Sequence, residues 1–459
     1  PFSTRRGDAY SRFPDQGRRR FQVSGPTYTP TPRFPDQRKG LFQVFRQKPA
    51  SYDRNRTANL ESRMRTADTN RSCGQKSTVR LRTEGHPHPG LRPRSGEERI
   101  GDSRPMKMTH SDLVMLRGNH KHAIASHELI RVKRGVAIAA PKQSETLPRW
   151  EAFSTAAEAR ILAVARTMRR KVVFTRESAM LIHGLPCWAQ NPCVSIRVAG
   201  SFTPSLLPGV IMSTHQIPAV RLRSTHGTYT EAQPQRIGGL LVDSLEETAL
   251  QMALKARPLD AVIAVSGIIK ALSRFDRFRQ PASRRHEEIV KAGLLDGLRG
   301  LGSIPGKRQA EAVLTLSDAG CETIGEQALL FALATVMPYE IHTQHEVVIR
   351  EHSYFLDFAI PSLKIAFEFD GFIKMGEDHD SFQRAHRALL SRQRELEDAG
   401  WTVIRVAWEE LMDLAALRAK LLGRVSKCTS APIVSPARGE ALWNRQLVTT
   451  RVARTRTRA

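Results

Sequence analysis

The chain has 459 residues, 40% of them hydrophobic, and a formal net charge of +26. That length suits two to four domains with real cores, while the basic excess calls for a polyanionic partner, nucleic acid before membrane. No apolar run approaches the ~20 residues of a membrane span, no secretory h-region stands near the start, and five scattered cysteines carry no disulfide or zinc spacing. The expected setting is the cytoplasm, with no membrane association and no small-molecule cofactor.

Residues 1–105 are rich in Arg, Pro, Gly, Ser and Thr, show little apolar periodicity, and hold about half of the net charge. Such a stretch reads as a disordered basic extension. Arg12-Phe-Pro-Asp-Gln16 recurs as Arg33-Phe-Pro-Asp-Gln37, each copy followed by Phe-Gln-Val, but two copies fall short of a solenoid. Beginning on Pro1, the chain reads as a fragment or an over-extended reading frame, with Met106 or Met108 as the expected start.

Over 106–141 the pattern predicts a short helix at 109–117, a second at 121–129, and a hairpin over 129–140 turning at Gly135. Two helices and a β-wing resemble the small winged helix-turn-helix of AbiEi-type antitoxins. The resemblance implies DNA as partner, with Arg131, Lys133 and Arg134 of the wing on phosphates; the other reading is a solvated basic hairpin. His120, His122 and His127 lack an acidic or Cys partner and read as solvated. Residues 150–300 read as an α/β middle domain. Helices are expected at 156–170 and 178–186 and strands at 172–175, 194–198 and 210–214, and a strand from Leu240 runs into a helix capped near Asp243 or Ser244. This order resembles the middle region of the same antitoxin-like proteins, and it offers no catalytic constellation.

The stretch Tyr354–Gly371 organises the rest. It reads as two strands joined by a turn at Pro361–Lys364, and period two puts Glu368 and Asp370 on one face, Phe367 and Phe369 on the other. With Ile360 opposite Ile365, Asp357 falls across from Glu368, at roughly 5 Å. Acids so close raise one another's pKa and ask for a cation. Oxygen ligands with positions left for water and phosphate suit Mg²⁺. The alternative is a solvated sheet face. Helices at 308–318 and from Gly325, a strand at 343–350, a helix at 382–399, a strand at 402–406 and a helix at 409–421 complete an αβββαβ order. Residues 426–459 read as a disordered basic tail.

Asp357, the Glu368-x-Asp370 pair, Gly325-Glu326 opening a helix, Asp370-Gly371 with Lys374 behind, Arg392, and Gly400-Trp401 before the last strand resemble the PD-(D/E)XK nuclease core. The nearest likeness is to its very-short-patch-repair-like branch, over 305–412. The resemblance implies an α/β, restriction-endonuclease-like domain over 305–425. In it Asp357, Glu368 and Asp370 hold Mg²⁺, Glu326 positions metal or water, Lys374 polarises water or phosphate, and Arg392 meets phosphate. Asp370 stands where the family commonly has Lys, and Met375 stands where it often has an aromatic residue or His. Two functions follow: a Mg-dependent endonuclease, or a DNA-binding regulator or antitoxin with an inactive nuclease fold and a cognate toxin-like partner.

Overall fold

The computed structural model describes residues 106–116, 120–141, 146–371 and 379–458. The expectations for 1–105 and for Lys374 lie outside the described residues. The fold is mixed α/β.

After a 3₁₀ turn at His110–Asp112 comes β1 (Leu113–Met115), then α1 (Lys121–Ala125) and the hairpin β2 (Leu129–Lys133) and β3 (Val136–Ala139). The three strands form an antiparallel sheet in the order β1-β3-β2. The helix expected at 109–117 is corrected here. Asp112 turns back to accept the Thr109 amide at 2.7 Å, and Leu113-Val114-Met115 then has an open strand to pair with, which a three-residue apolar run satisfies better than a helix. Ile130, Val132, Val136 and Ile138 pack on Ala152, Ala156, Ala159 and Ala163 of α2 (Arg149–Thr167). That row of small side chains lets helix and sheet approach closely.

The middle region contains β4 (Val173–Phe174), α3 (Arg176–Ile182), β5 (Val194–Arg197), β6 (Ser205–Leu207), β7 (Val210–Met212), β8 (His215–Ile217), β9 (Val220–Thr225), β10 (Gln235–Ile237) and β11 (Leu240–Val242). Six of these strands make a mixed sheet, β10-β11-β4-β5-β9-β6, and β7–β8 stand apart as a hairpin. Helices follow: α4 (Leu245–Lys255), α5 (Pro258–Ser273), α6 (Gln280–Gly300), α7 (Lys307–Leu316) and α8 (Ile324–Ala334). Ser244 caps α4 by accepting the Glu247 amide. Asp243 instead pairs with Arg197 at 2.6 Å, and burial pushes its carboxyl up to about 6.

Next come β12 (His342–Ile349), β13 (His352–Ile360), β14 (Ile365–Asp370), α9 (His379–Asp398), β15 (Thr402–Ala407), α10 (Leu414–Val425) and α11 (Ala437–Arg458). The sheet runs β12-β13-β14-β15, its first two pairs antiparallel and the last parallel. From α8 onward the order is αβββαβ. One apolar core reaches from Met180 through α4, α5, α7 and α8 to the phenylalanines of β13 and β14 and on to Leu442. It therefore crosses the expected boundary near residue 300 without a break.

The tail expected over 426–459 is corrected, because α11 forms where the sequence looks aperiodic. Leu442 enters the core, Gln446 accepts the Leu259 amide, and Arg418 both pairs with Glu440 at 2.8 Å and lies over the Trp443 ring. Tertiary contacts supply what local propensity lacks. No helix among the described residues is long and apolar enough to cross a membrane.

Candidate active site

The β13–β14 hairpin has the expected register, with Ile360 opposite Ile365 and Phe358 opposite Phe367. Its turn is a 3₁₀ segment at Pro361–Leu363, closed by Lys364 at φ +49°. One step beyond the paired residues Asp357 lies across from Glu368. There the ladder gives way to a side chain: Asp357 Oδ2 accepts the Phe369 amide at 2.9 Å.

Strict alternation fails at this point. Phe358 joins the main core with Phe367 and Phe369, whereas Leu356, two residues earlier, packs with Leu396 and Trp401 in a separate cluster beside α9. The neighbouring strand changes face at the same level. Thr343 bonds to Arg284 and Asp318, while the His345 ring lies 5.7 Å from that of Trp401. Thr343 stands opposite Phe358 and His345 opposite Leu356, which leaves Gln344 level with Asp357. Gln344 takes a left-handed φ of +50°. It is 1% exposed and neither amide atom of its side chain has a partner.

Gly325 explains how α8 reaches this point. A Cβ there would fall inside the Phe369 ring, so only glycine lets the first turn of α8 lie on β14. The next residue, Glu326, is buried, at 2% exposure. Its carboxylate accepts the Glu322 amide at 2.6 Å and the Thr323 hydroxyl at 2.9 Å, while Thr323 Oγ1 caps the Glu326 amide. This is a helix-capping arrangement. The same carboxyl is pushed up to about 8, by burial first and then by the negative charges of Asp357 and Glu322. Glu326 thus serves as both a first-turn acid and an electrostatic neighbour of Asp357.

The other two acids have cations within the fold. Glu368 Oε1 accepts from Arg392 Nη2 at 2.9 Å, and the same nitrogen donates to the Phe355 carbonyl at 2.7 Å. Asp370 Oδ1 accepts from Arg405 Nη1 at 2.7 Å. Arg405 stands opposite Glu368 in the parallel β14–β15 register, so its side chain reaches two residues along the strand to Asp370. Arg392, expected to meet phosphate, is engaged within the fold. Sequence reasoning finds neither Arg405 nor Gln344. Seeing Arg405 requires knowing that β15 pairs with β14 in parallel, and no sequence signal marks the backbone sign of Gln344.

In the hairpin at the start of the described chain, Arg131 and Arg134 are exposed and Lys133 is half-buried. Burial holds the Lys133 amine below its ordinary range, and a register shift separates it from Arg131. Among the described residues no group of three or more His, Cys, Asp or Glu side chains is arranged to hold a metal ion. A Mg²⁺ site needs less, since one or two carboxylates with waters and substrate phosphates are its usual set. Asp357 and Glu368 are neighbours in register, each with one oxygen held within the fold, by the Phe369 amide and by Arg392. Comparisons with models of known families, with curated proteins and with solved structures give no match.

Proposed function

We propose that the region over 305–425 is a Mg²⁺-dependent nuclease that hydrolyses phosphodiester bonds of DNA. The observation that carries this reading is the meeting of acids from α8, β13 and β14, two of which, Glu326 and Asp357, repel each other in a buried setting. A fold that retains such repulsion has use for a cation there. In this reading Asp357 and Glu368 hold Mg²⁺ and Asp370 supports them. A bound Mg²⁺ supplies charge neutralisation at the phosphate and a more acidic water. Glu326, with a carboxyl near neutrality, suits proton exchange with the attacking water, because a general base works best near the operating pH. Lys374 is assigned to the phosphate by the family resemblance alone.

A second reading is favoured by the ion pairs Arg392–Glu368 and Arg405–Asp370. They neutralise the acids from within, as a DNA-binding regulator or antitoxin with an inactive nuclease fold requires. The two readings part in a cleavage assay on plasmid and oligonucleotides with Mg²⁺ or Mn²⁺ against chelator, run beside calorimetric metal titration. The nuclease reading expects metal-dependent cutting by the parent protein. Asp357→Asn and Glu368→Gln should each abolish cutting while nucleic-acid binding survives. A parent protein that binds DNA but neither cuts it nor takes up metal leaves the regulator.

A further inference from the structure

A second, separate feature lies on the middle region. A groove of about 640 Å³ opens between the end of α2, β4 and the β10–β11 hairpin, and His110, Arg166, Arg170, Lys171 and Arg236 line it without a single carboxylate. All five side chains are exposed. Among the described residues no acid pairs with Arg166, Lys171 or Arg236, and Arg170 donates only to the carbonyls of Ser201, at 2.8 Å, and Ala199, at 3.3 Å.

Local reasons exist for single charges here. Arg166 near the C-terminal end of α2 complements the helix dipole, and Arg236 guards β10, an edge strand of the six-stranded sheet. Each reason needs one cation. Neither brings four permanent positive charges and a histidine around one acid-free concavity, where like charges repel.

We propose that this groove binds the sugar–phosphate backbone of a nucleic acid, with Arg166, Arg170, Lys171 and Arg236 on phosphate oxygens. The cations come from two separate segments, the end of α2 through β4 and β10, which suits a run of backbone phosphates. At the rim Gly238 and Gly239 make the hairpin turn at φ +54° and +80°, with nothing within 4 Å of where a Cβ would stand. The rim is therefore bare backbone, which a strand can approach closely. Phosphate binding positions a nucleic acid without reading its sequence, so recognition here is sequence-independent. The carboxylates of the candidate active site play no part in it.

The test uses the full chain, a short duplex and a single strand of arbitrary sequence, and affinity measured across a salt series. The variant Arg166→Gln/Arg170→Gln/Lys171→Gln/Arg236→Gln should bind more weakly. Its slope of log K against log salt on duplex should flatten by about 0.9 for each phosphate no longer neutralised, roughly 3–4 in all. A control removes four exposed cations elsewhere: Arg285, Arg308, Arg424 and Lys427, each to Gln. It should keep most of the parent's slope. If the control loses as much as the groove variant, or the groove variant keeps the parent's affinity and slope, the proposal is overturned. It is equally overturned if the groove variant loses binding to phosphatidylserine vesicles but not to nucleic acid. Arg170 also holds a loop, so a triple variant sparing it guards against misfolding and should show about three-quarters of the slope change. Failure of the nuclease reading is separate: Asp357→Asn addresses cutting, and the groove variant addresses binding.

Discussion

A single guanidinium nitrogen of Arg392 joins α9 to two strands, holding Glu368 at 2.9 Å and the Phe355 carbonyl at 2.7 Å. Glu368 is 8% exposed, so its charge depends on partners within the fold. Arg392→Ala removes hydrogen bonds to a charged group, each worth roughly 1.5–3 kcal/mol, and the melting temperature should fall. If Glu368 is a metal ligand, Mg²⁺ should restore more stability to this variant than it adds to the parent, because the cation replaces the missing guanidinium. Thermal melts with and without millimolar Mg²⁺ decide it, and equal shifts would remove Glu368 from the metal set.

The Glu326 carboxyl predicts a pH dependence of known sign. Unfolded, it titrates near the usual glutamate value of ~4.3; folded, it is pushed up to about 8, by burial and then by Asp357. Between those values the native state keeps a proton that the unfolded state has lost, so this residue makes stability fall as pH rises from about 4.5 to about 8. Glu326→Gln should flatten that slope in denaturant titrations at several pH values. Asp357→Asn should reduce it only in part, since burial is the larger cause. Mg²⁺ uptake, on the proposed function, should release protons near neutral pH.

How much of this is legible in the sequence varies from residue to residue. The Ile360–Ile365 register is legible because a proline turn and two alternating apolar runs leave few other pairings. Gly325 and Glu326 are legible as a helix start. The change of face at Asp357 is not, because it comes level with a left-handed backbone at Gln344 on the neighbouring strand, and nothing in the residue type announces that. Helix α11 is hidden for a different reason. Its sequence is polar and basic overall, and a few docking side chains, Leu442, Trp443 and Gln446, anchor it to surfaces built by residues far away in the chain. Likewise the strand at Leu113–Met115 depends on β3, which follows it. The acids of the candidate site are visible as residue types, but their division between Asp357 beside Glu326 and two arginine-paired neighbours is a property of packing.

Gly325 should tolerate no side chain. An added Cβ meets the Phe369 ring, and both residues sit in rigid elements, so Gly325→Ala should cost roughly 1–3 kcal/mol, as overpacking does. Trimming the ring should recover part of the loss: Phe369→Leu alone destabilises, but Gly325→Ala/Phe369→Leu should be more stable than the sum of the two single changes predicts. A double-mutant cycle by urea denaturation measures the coupling, and strict additivity would show that helix and strand separate to admit the methyl.

Gln344 offers the sharpest contrast between stability and function. It is buried, holds φ at +50° and leaves both side-chain amide atoms without partners, level with Asp357 on the next strand. An unpartnered buried polar group costs roughly 1–3 kcal/mol, and a left-handed backbone at a non-glycine residue adds about as much. Replacing the amide with an apolar group of similar size removes the first cost and leaves the second. Gln344→Leu should therefore fold at least as stably as the parent, by up to a few kcal/mol in a urea titration. If the nuclease reading holds, the register of Gln344 level with Asp357 would let the amide serve that site. On that account the stabilised variant loses metal-dependent cleavage, while Gln344→Asn, which keeps an amide, retains part of it. Lower stability in Gln344→Leu would mean that the amide already has a structural partner, and full cleavage by the same variant would detach it from the site.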